Sequence, residues 1–488
     1  MKNILTKNNW VVVLIALFGV IIAFIQFVSN RSLWLDEAML ALNIINRDYS
    51  ELLLPLDYTQ VAPILFLLTE KFFTNLINGN EWSLRIFPLL CYFASIPLFY
   101  KVTNLLTRNG IVSKISLLMF CCTPMLIFYS SETKQYMTDV FVTLLIYFIA
   151  LSTYKGRYTK LFILSFWGGL CIFLSNISVI ILFCIGLFLL FRNCKERKTL
   201  LNYNMLIPCV IWGCFFLLYY LSFIQNHPSE SIQKSAWRGT GDFLPHNPFN
   251  MNFWNLKAKE IFGSLLGYPA RFYLYVPVSL FYLSSLFVML KQKKYRIVYF
   301  LTAPIIVHLI LSYFEKYPFA NRLILYQIPL YIITISLGLF YLYDFIKTKT
   351  NIKYLQTLFF IPVVVLFIQL FIQYPIEREE IKKSISYVNK NISENELVYI
   401  YYASVPAFLF YKQAYFVKFD NKIVIGKSHR GNDSLYIKDL SSLSGKVWIL
   451  FSHVDSNEDK FIIDYLQTRG KLLDEYKTTG SSVYLFNL

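Results

Sequence analysis

The stretch RSLWLDEAML, residues 31–40, places two adjacent carboxylates, Asp36 and Glu37, directly after an apolar run over residues 10–29. A helix of about 20 apolar residues is long enough to cross the hydrocarbon of a bilayer. The run exceeds the usual length of a signal-peptide core and has no A-x-A-like cleavage site before Arg31, so we expect a retained helix. The two acids are therefore predicted to lie at a membrane face, either as capping and first-turn residues of an interfacial helix or as groups with a chemical role.

The composition of the whole chain indicates a polytopic membrane protein. Of its 488 residues 56% are hydrophobic, 18% aromatic and only 15% charged, which is far more apolar than a soluble domain. The net charge of +17 comes from short Lys and Arg clusters between apolar runs, a pattern typical of cytoplasmic loops, so we predict no nucleic-acid partner. The eight cysteines lie in apolar segments or a basic loop without metal-ligand spacing, which predicts neither a disulfide framework nor a zinc site.

The apolar segments predict the topology. They cover approximately residues 10–29, 60–78, 83–105, 111–128, 137–153, 161–175, 177–191, 203–223, 271–290, 297–313, 321–344 and 354–374. If all of them crossed, the basic clusters from Lys101 onward would face the wrong side. Removing the segment 59–77, which carries Glu70 and Lys71 in its interior, corrects every cluster. We therefore predict an interfacial helix there and about eleven spanning helices elsewhere.

This topology defines two predicted domains. A helical transmembrane domain covers residues 1–374, and a small α/β domain on the outer face covers residues 375–488, where an amphipathic stretch precedes the strand-like segments LVYIYY, KIVIG, KVWILFS and SSVYLFNL. The outer face also receives a first loop over residues 30–82, a second long loop over residues 224–270 and two short turns. Asp36 is thus expected to face outward.

The outer turn SSETKQYMTD, residues 130–139, carries further candidate site residues. If the helix begins near Ser131, then Glu132, Tyr136 and Asp139 share one face, with Lys134 to the side. Two acids on one face can bind a cation or orient a hydroxyl group. The alternative is that the acids only stabilise a helix N-terminus through its dipole.

The cations and aromatic residues at the predicted outer ends of the helices have two possible roles each, anchoring in the membrane interface or substrate binding. Arg271 and Arg322 begin apolar runs there, either as snorkelling anchors or as bidentate ligands of a lipid phosphate, and Lys316 adds a point charge nearby. Trp237, in the loop 224–270, is either an interfacial belt residue or a platform for stacking a sugar.

The segments WLDEAMLALNI, QVAPILFLL with GNEWSLRIFPLL, YSSETKQYMTD and YPFANRLILYQIP occur in an order and spacing that resemble the GT-C superfamily of membrane glycosyltransferases. The closest resemblance is to the branch that contains lipid A aminoarabinose transferases and protein O-mannosyltransferase-like enzymes. By motif position, Asp36 corresponds to the lead catalytic carboxylate, Glu37 to the adjacent acid and Asp139 to the acid after the second outer turn. Gln60 stands where the aminoarabinose transferases have a lysine, which leaves the donor sugar and the phosphate contact open.

The resemblance implies transfer of one sugar, a hexose or a pentose, from a dolichyl- or undecaprenyl-phosphate carrier to a hydroxyl or phosphate of a glycolipid, glycan or protein. It implies a bacterial inner-membrane enzyme with its site on the periplasmic face, inverting the anomeric centre with Asp36 as general base. A divalent metal is not required, although oxygen ligands from Asp36, Glu132 and Asp139 would suit magnesium or manganese. The alternative function is a carrier or flippase for lipid-linked sugars, which usually keeps ionisable groups or broken helices near the midplane.

Overall fold

The computed structural model describes residues 10–77, 79–153, 158–195, 203–225, 227–268, 273–349, 361–415, 417, 419 and 422–488. Within these residues, each predicted apolar segment contains helix. The helices are α1 (Trp10–Val28), α2 (Leu35–Asn46), α3 (Ile64–Leu76), α4 (Ile86–Thr107), α5 (Gly110–Cys122), α6 (Pro124–Tyr129), α7 (Tyr136–Thr153), α8 (Tyr158–Leu174), α9 (Ser178–Lys195), α10 (Tyr203–Tyr219), α11 (Glu230–Gly239), α12 (Met251–Ala258), α13 (Tyr275–Lys291), α14 (Tyr295–Tyr313), α15 (Ile328–Lys349) and α16 (Ile361–Gln373).

Several of these helices have the dimensions of membrane spans. Within the described residues, five helical segments are long and apolar enough to cross, and they are Trp10–Val28, Ser83–Thr107, Leu206–Ile224, Tyr295–Tyr313 and Asn321–Thr348. The other predicted spans coincide with shorter apolar helices. The chain is thus a mostly helical membrane protein, and the number of crossings, about eleven, stays a prediction.

The predicted continuous span 111–128 is wrong, because the helix is broken at Thr123 between α5 and α6. Thr123 has an extended conformation and precedes Pro124, whose ring disfavours helical geometry in the residue before it. The Thr123 hydroxyl donates a hydrogen bond of 2.8 Å to the carbonyl oxygen of Met119, which satisfies part of the exposed helix end.

The short helix α3 is the segment that the charge pattern removed from the set of spans. It has 13 residues and contacts α2. It also supplies hydrogen bonds to carbonyl groups in the last turn of α2. The Lys71 ammonium group donates to the carbonyl oxygens of Ile44 and Ile45, both at 3.0 Å, which is a favourable place for a cation because the helix dipole is negative there. Glu70 on the same helix is fully buried. Lys71 thus joins α3 to the end of α2.

The C-terminal part contains α17 (Ile381–Asn391), β1 (Leu397–Ile400), α18 (Val405–Ala414), β2 (Ile423–Ile425), α19 (Asp433–Ser441), β3 (Lys446–Ser452), α20 (Glu458–Arg469), β4 (Lys471–Thr478) and β5 (Ser481–Asn487). The strand order is β2-β1-β3-β5-β4, with β1 parallel to β2 and β3, and β5 antiparallel to β3 and β4. The predicted strand segments are all present. The sequence analysis missed β4, an edge strand whose residues are all exposed or half-buried and carry many charges.

The C-terminal part packs directly on the segment that leads into α2. The Glu380 carboxylate accepts hydrogen bonds of 3.2 Å from the backbone N–H and from the hydroxyl of Ser32. The Glu379 carboxylate accepts one of 3.3 Å from the backbone N–H of Leu35, the first residue of α2. Because the first N–H groups of a helix lack partners inside it, Glu379 acts as a cap supplied from distant sequence. This contact orients the first turn of α2, on which Asp36 lies.

Candidate active site

A cavity of about 360 Å³ opens beside the first turn of α2. Asp36 lines it, and the Asp36 side chain is 22% exposed. The structure brings most of the predicted site residues to this one cavity, namely Gln60, Lys134, Tyr136, Trp237, Lys316 and Arg322. They come from the first loop, the start of α7, α11, the turn after α14 and the start of the helical segment 321–348. Distant parts of the chain thus meet at one end of the helices.

Arg322 is the central cation of this cavity. Its guanidinium group forms an ion pair with the Asp36 carboxylate. The guanidinium carbon lies 5.2 Å from the ring centroid of Trp34, 5.7 Å from that of Tyr136 and 6.0 Å from that of Trp237. Aromatic faces attract a cation at these distances, so the rings hold the guanidinium in position without neutralising its charge.

Lys134 supplies a second cation to the cavity. It lies beside Gln60, the residue that stands where the motif resemblance leads one to expect a lysine. The Lys134 ammonium nitrogen lies 2.5 Å from the Gln60 side-chain oxygen. Burial lowers the pKa of Lys134 from its ordinary value, and the Asp36 carboxylate opposes that shift. The chain therefore places an amine beside the side chain of Gln60 although residue 60 itself is neutral.

The surroundings also determine the ionisation of Asp36. Burial alone would raise the pKa of the Asp36 carboxyl. The pKa is nevertheless held below its ordinary value by nearby positive charge, which comes from Lys134, Arg322, Arg378 and His453. Asp36 is thus a carboxylate at neutral pH.

Two of these basic residues, Arg378 and His453, were missed by the sequence analysis. The Arg378 guanidinium carbon lies 3.4 Å from the Trp34 ring centroid, and the His453 ring centroid lies 6.0 Å from it. Both belong to the C-terminal part, more than 300 residues from Trp34. Nothing in the local sequence of either residue indicates proximity to the first loop, because the contact depends on how the sheet docks.

Glu37 has a different environment from its neighbour Asp36. It is fully buried, does not line the cavity, and accepts hydrogen bonds from Arg31 at 2.7 Å, Arg85 at 3.1 Å and the backbone N–H of Thr133 at 2.9 Å. Arg85 also donates to the Arg31 carbonyl oxygen at 2.7 Å. This network joins three segments of the chain that are distant in sequence. The two arginines lie inside the quoted motifs RSLWLDEAML and GNEWSLRIFPLL, although the sequence analysis gave them no role.

Glu132 and Asp139 are also buried away from the cavity. The expectation that the helix begins near Ser131 is wrong, because α7 begins at Tyr136, and Glu132 lies in the turn before it. Glu132 accepts a hydrogen bond of 3.3 Å from the Trp34 indole, and Asp139 accepts one of 2.5 Å from the Ser175 hydroxyl. Among the described residues, no group of three or more His, Cys, Asp or Glu side chains is placed to hold a metal ion.

The environment of Glu132 predicts a measurable pH effect on stability. Burial and the nearby Glu37 carboxylate raise the pKa of Glu132 to about 7, and its Oε2 atom accepts no hydrogen bond and lies 3.6 Å from the Arg31 guanidinium. An acid whose pKa is higher in the folded state favours folding below its unfolded pKa and loses that contribution as the pH rises toward 7. Glu132→Gln should therefore be more stable than wild type at pH 8, by on the order of 1 kcal/mol.

Thermal unfolding of the purified protein in detergent, followed between pH 5 and pH 8, measures this effect. The advantage of Glu132→Gln should shrink as the pH falls. A variant that is less stable than wild type at pH 8 would show that the Glu132 charge is needed for folding.

Arg271, the remaining predicted phosphate ligand, lies outside the residues that the structure describes. The loop 224–270 before it contains α11 and α12 and a π-helical segment, Lys259–Leu265. Trp237, the aromatic residue of this loop that the sequence analysis named, lines the cavity, and so does Phe243.

Fold and cavity together define a class of protein: a polytopic helical membrane protein with a charged, aromatic-lined cavity beside interfacial helices. No family model and no curated protein sequence matches the chain. Its structure is similar to ArnT from Cupriavidus metallidurans bound to undecaprenyl phosphate, with 11% identity, a TM-score of 0.55 and coverage of 98% of both chains. It is also similar to the oligosaccharyltransferase AglB from Archaeoglobus fulgidus in complex with an inhibitory peptide and a dolichol-phosphate, with 11% identity and a TM-score of 0.56.

The AglB comparison covers 98% of this chain and 74% of AglB. Both proteins are members of the GT-C superfamily. The chain therefore has the GT-C fold, and the resemblance inferred from its motifs is confirmed at the level of the fold.

Proposed function

We propose that the protein is a membrane glycosyltransferase that moves a single sugar from a polyprenyl-phosphate carrier to an acceptor on the outer face of the membrane. The observation that carries this proposal is the cavity in which a carboxylate, Asp36, lies with the cations Lys134, Lys316 and Arg322. A phosphate-bearing donor needs cations, and an attacking hydroxyl needs a base. The GT-C fold, seen in structures with undecaprenyl phosphate and dolichol-phosphate, agrees with this pairing.

The Asp36–Arg322 ion pair provides a way to couple donor binding to base activation. In the structure, the guanidinium of Arg322 is paired with Asp36. A donor phosphate that enters the cavity competes for that guanidinium and can bind it in a bidentate fork. Release from Arg322 raises the pKa of Asp36 toward its ordinary value, which makes it a better proton acceptor.

The transfer step is then a single displacement. The acceptor hydroxyl oxygen bonds to the anomeric carbon while the bond from that carbon to the phosphate oxygen breaks. The electron pair of the broken bond leaves with the polyprenyl phosphate, whose charge the cations stabilise, and the acceptor proton passes to Asp36. Attack opposite the leaving group inverts the anomeric centre. Trp237 and Tyr136 line the same cavity and offer faces against which a sugar ring stacks.

In this proposal, residues 1–374 form the transferase domain of about eleven spans, and residues 375–488 form a small outer α/β domain that orients α2. The site lies on the periplasmic face of a bacterial inner membrane. The acceptor is a hydroxyl or phosphate of a glycolipid, glycan or protein. Glu37, Glu132 and Asp139 support the site from outside the cavity.

Mass spectrometry of cell-envelope glycolipids and glycans from a deletion strain tests the proposal. A sugar that is missing from the deletion strain and restored by the wild-type gene would support transfer, and its mass would identify the sugar class. An unchanged envelope would contradict the proposal. If the protein were a carrier, its deletion would instead leave the lipid-linked sugar on the inner leaflet. Leaflet-specific labelling of the donor lipid detects this outcome.

The contact between Lys134 and Gln60 allows a test by exchange. Lys134→Gln should slow transfer by on the order of 10- to 100-fold, because it removes one charged hydrogen bond to the departing phosphate. Since the amine lies 2.5 Å from the Gln60 oxygen, adding Gln60→Lys returns a cation to the same place and should recover much of the rate. Steady-state transfer with purified enzyme and saturating acceptor measures both. Lack of rescue, with both variants folded, would show that Lys134 acts elsewhere than on the phosphate.

A further inference from the structure

A second charged cavity lies at the turn between α13 and α14. Its volume is about 210 Å³, and Lys293, Lys294 and Arg296 line it from that turn. Its other lining residues are neutral and come from α4, α14, α15 and the turn after α4, and they are Thr107, Asn109, Ile297, Leu337, Phe340 and Tyr341. No carboxylate is among them. We call this space the basic cavity.

The basic cavity is separated from the Asp36 cavity by the length of a membrane-spanning helix. α14 begins at Tyr295, beside the basic cavity, and ends at Tyr313, shortly before Lys316 of the Asp36 cavity. Its 19 residues extend about 28 Å at ~1.5 Å per residue, close to the ~30 Å thickness of the hydrocarbon. The two cavities therefore lie at opposite faces of the bilayer.

The ordinary explanation for basic residues at this face is the topology rule for cytoplasmic loops. That rule does not account for cations that line a common cavity at the N-terminus of a helix, where the dipole is unfavourable to them. α14 has no acid in its first turn and no side-chain cap. Lys294 donates 2.7 Å to the Tyr341 hydroxyl, and its ammonium nitrogen lies 4.5 Å from the centroid of that ring. An anion in the cavity would be stabilised by these cations and by the first N–H groups of α14.

A neighbouring, mainly apolar cavity indicates what kind of molecule would carry such an anionic group. It has a volume of about 440 Å³ and shares Tyr341 with the basic cavity. Its lining comes from α13, the turn after it and α15, and includes the apolar residues Phe281, Val288, Leu342 and Phe345. The polar residues that also line it are Ser284, Ser285, Gln292, Asp344 and Thr348. Leu342 is 41% exposed, so this space borders the surface that faces lipid. The basic cavity and the apolar cavity beside it thus match the charged headgroup and the acyl chain of a membrane lipid.

We propose that the basic cavity binds the headgroup phosphate of an anionic phospholipid, with part of an acyl chain in the neighbouring apolar cavity. Basic pockets between helices at the cytoplasmic side commonly bind such headgroups. This inference is independent of the transferase chemistry, since it involves no residue of the Asp36 cavity.

Native mass spectrometry of the full-length protein with phosphatidylglycerol or phosphatidylcholine tests the proposal. Wild type should retain phosphatidylglycerol in preference to phosphatidylcholine. The double variant Lys293→Gln/Arg296→Gln should weaken phosphatidylglycerol binding by about 30-fold, given ~1 kcal/mol for each cation near a lipid surface. The matched control Lys291→Gln/Lys347→Gln removes two cations of the same region that line neither cavity, and it should bind as wild type does.

The outcomes separate the sources of phosphate. Equal binding by all three proteins would overturn the proposal. Displacement of the lipid by millimolar inorganic phosphate would also overturn it, because the cavity would then recognise free phosphate. If the double variant does not fold, Lys293→Gln alone changes only an exposed side chain, and it should still weaken binding about 5-fold.

Discussion

Replacement of Asp36 by asparagine should slow sugar transfer by about 100- to 10,000-fold, the usual cost of losing a general base. Asparagine has the shape of aspartate but cannot accept the acceptor proton as a carboxylate does. The Asp36 carboxylate lines the cavity and faces the guanidinium of Arg322. The loss should therefore appear in kcat, with little change in the amount of protein inserted in the membrane.

Stability should change little in this variant. The Asp36 and Arg322 side chains are 22% and 21% exposed, so the guanidinium left without its partner still contacts water in the cavity. Three aromatic rings also hold it. A partly exposed ion pair usually contributes about 0–1 kcal/mol. Melting temperature and transfer rate should thus respond very differently to the same substitution.

Asp57→Asn provides a matched control for Asp36→Asn. Asp57 is also an acid of the first loop and also pairs with an arginine, Arg47, at 3.0 Å, but its side chain is 69% exposed and does not line the cavity. We expect transfer at the wild-type rate. If Asp36→Asn also transfers at a rate close to wild type, Asp36 is not the base, and another group in the cavity must accept the proton.

The sequence predicted which residues gather at one end of the helices more reliably than which of them line the same cavity. Asp36, Gln60, Lys134 and Arg322 all lie near ends of apolar runs, and helices of similar length bring such ends to the same plane. The position of each helix end within that plane depends on how the helices pack, and hydropathy gives no information about packing. For this reason the motif placed the adjacent acids Asp36 and Glu37 at one catalytic site, although only Asp36 lines the cavity.

The residue at which a helix begins is a second feature that the sequence predicts poorly. Helical spacing relates only residues inside the helix, so an error of a few residues at the start of α7 removes Glu132 and Lys134 from the face that Tyr136 and Asp139 share. The turn before Tyr136 carries Glu132 toward Trp34 and Lys134 toward Gln60. Contacts from Arg378 and His453 are harder still to predict, because they depend on the docking of a sheet more than 300 residues away.

Glu37→Gln should destabilise the folded protein by about 3–5 kcal/mol, the usual effect of removing one partner from a buried ion pair. Glu37 is fully buried, and its carboxylate forms ion pairs with Arg31 and Arg85, whose side chains are each 1% exposed, while Arg31 also lies 3.6 Å from the Glu132 carboxylate. Glutamine offers one acceptor oxygen and no charge, so two guanidinium groups would remain buried with too little compensation. Thermal unfolding and the yield of monodisperse protein in detergent measure this loss.

The ion pair of Glu377 with Lys383 gives the matched comparison. Its distance is 2.7 Å, as for Arg31 and Glu37, but the two side chains are 38% and 47% exposed. Glu377→Gln should cost less than about 1 kcal/mol, because exposed pairs are screened by water. Burial and not distance is thus expected to decide the difference between the two variants.

Together with Asp36→Asn, the Glu37 variant separates chemistry from support at adjacent positions. Asp36→Asn should lose transfer and keep its melting temperature, whereas Glu37→Gln should lose melting temperature first. A Glu37→Gln protein that unfolds at the wild-type temperature but fails to transfer sugar would contradict the structural role. It would return Glu37 to the catalytic position that its motif implies, and the ion network with Arg31 and Arg85 would then serve to tune its charge.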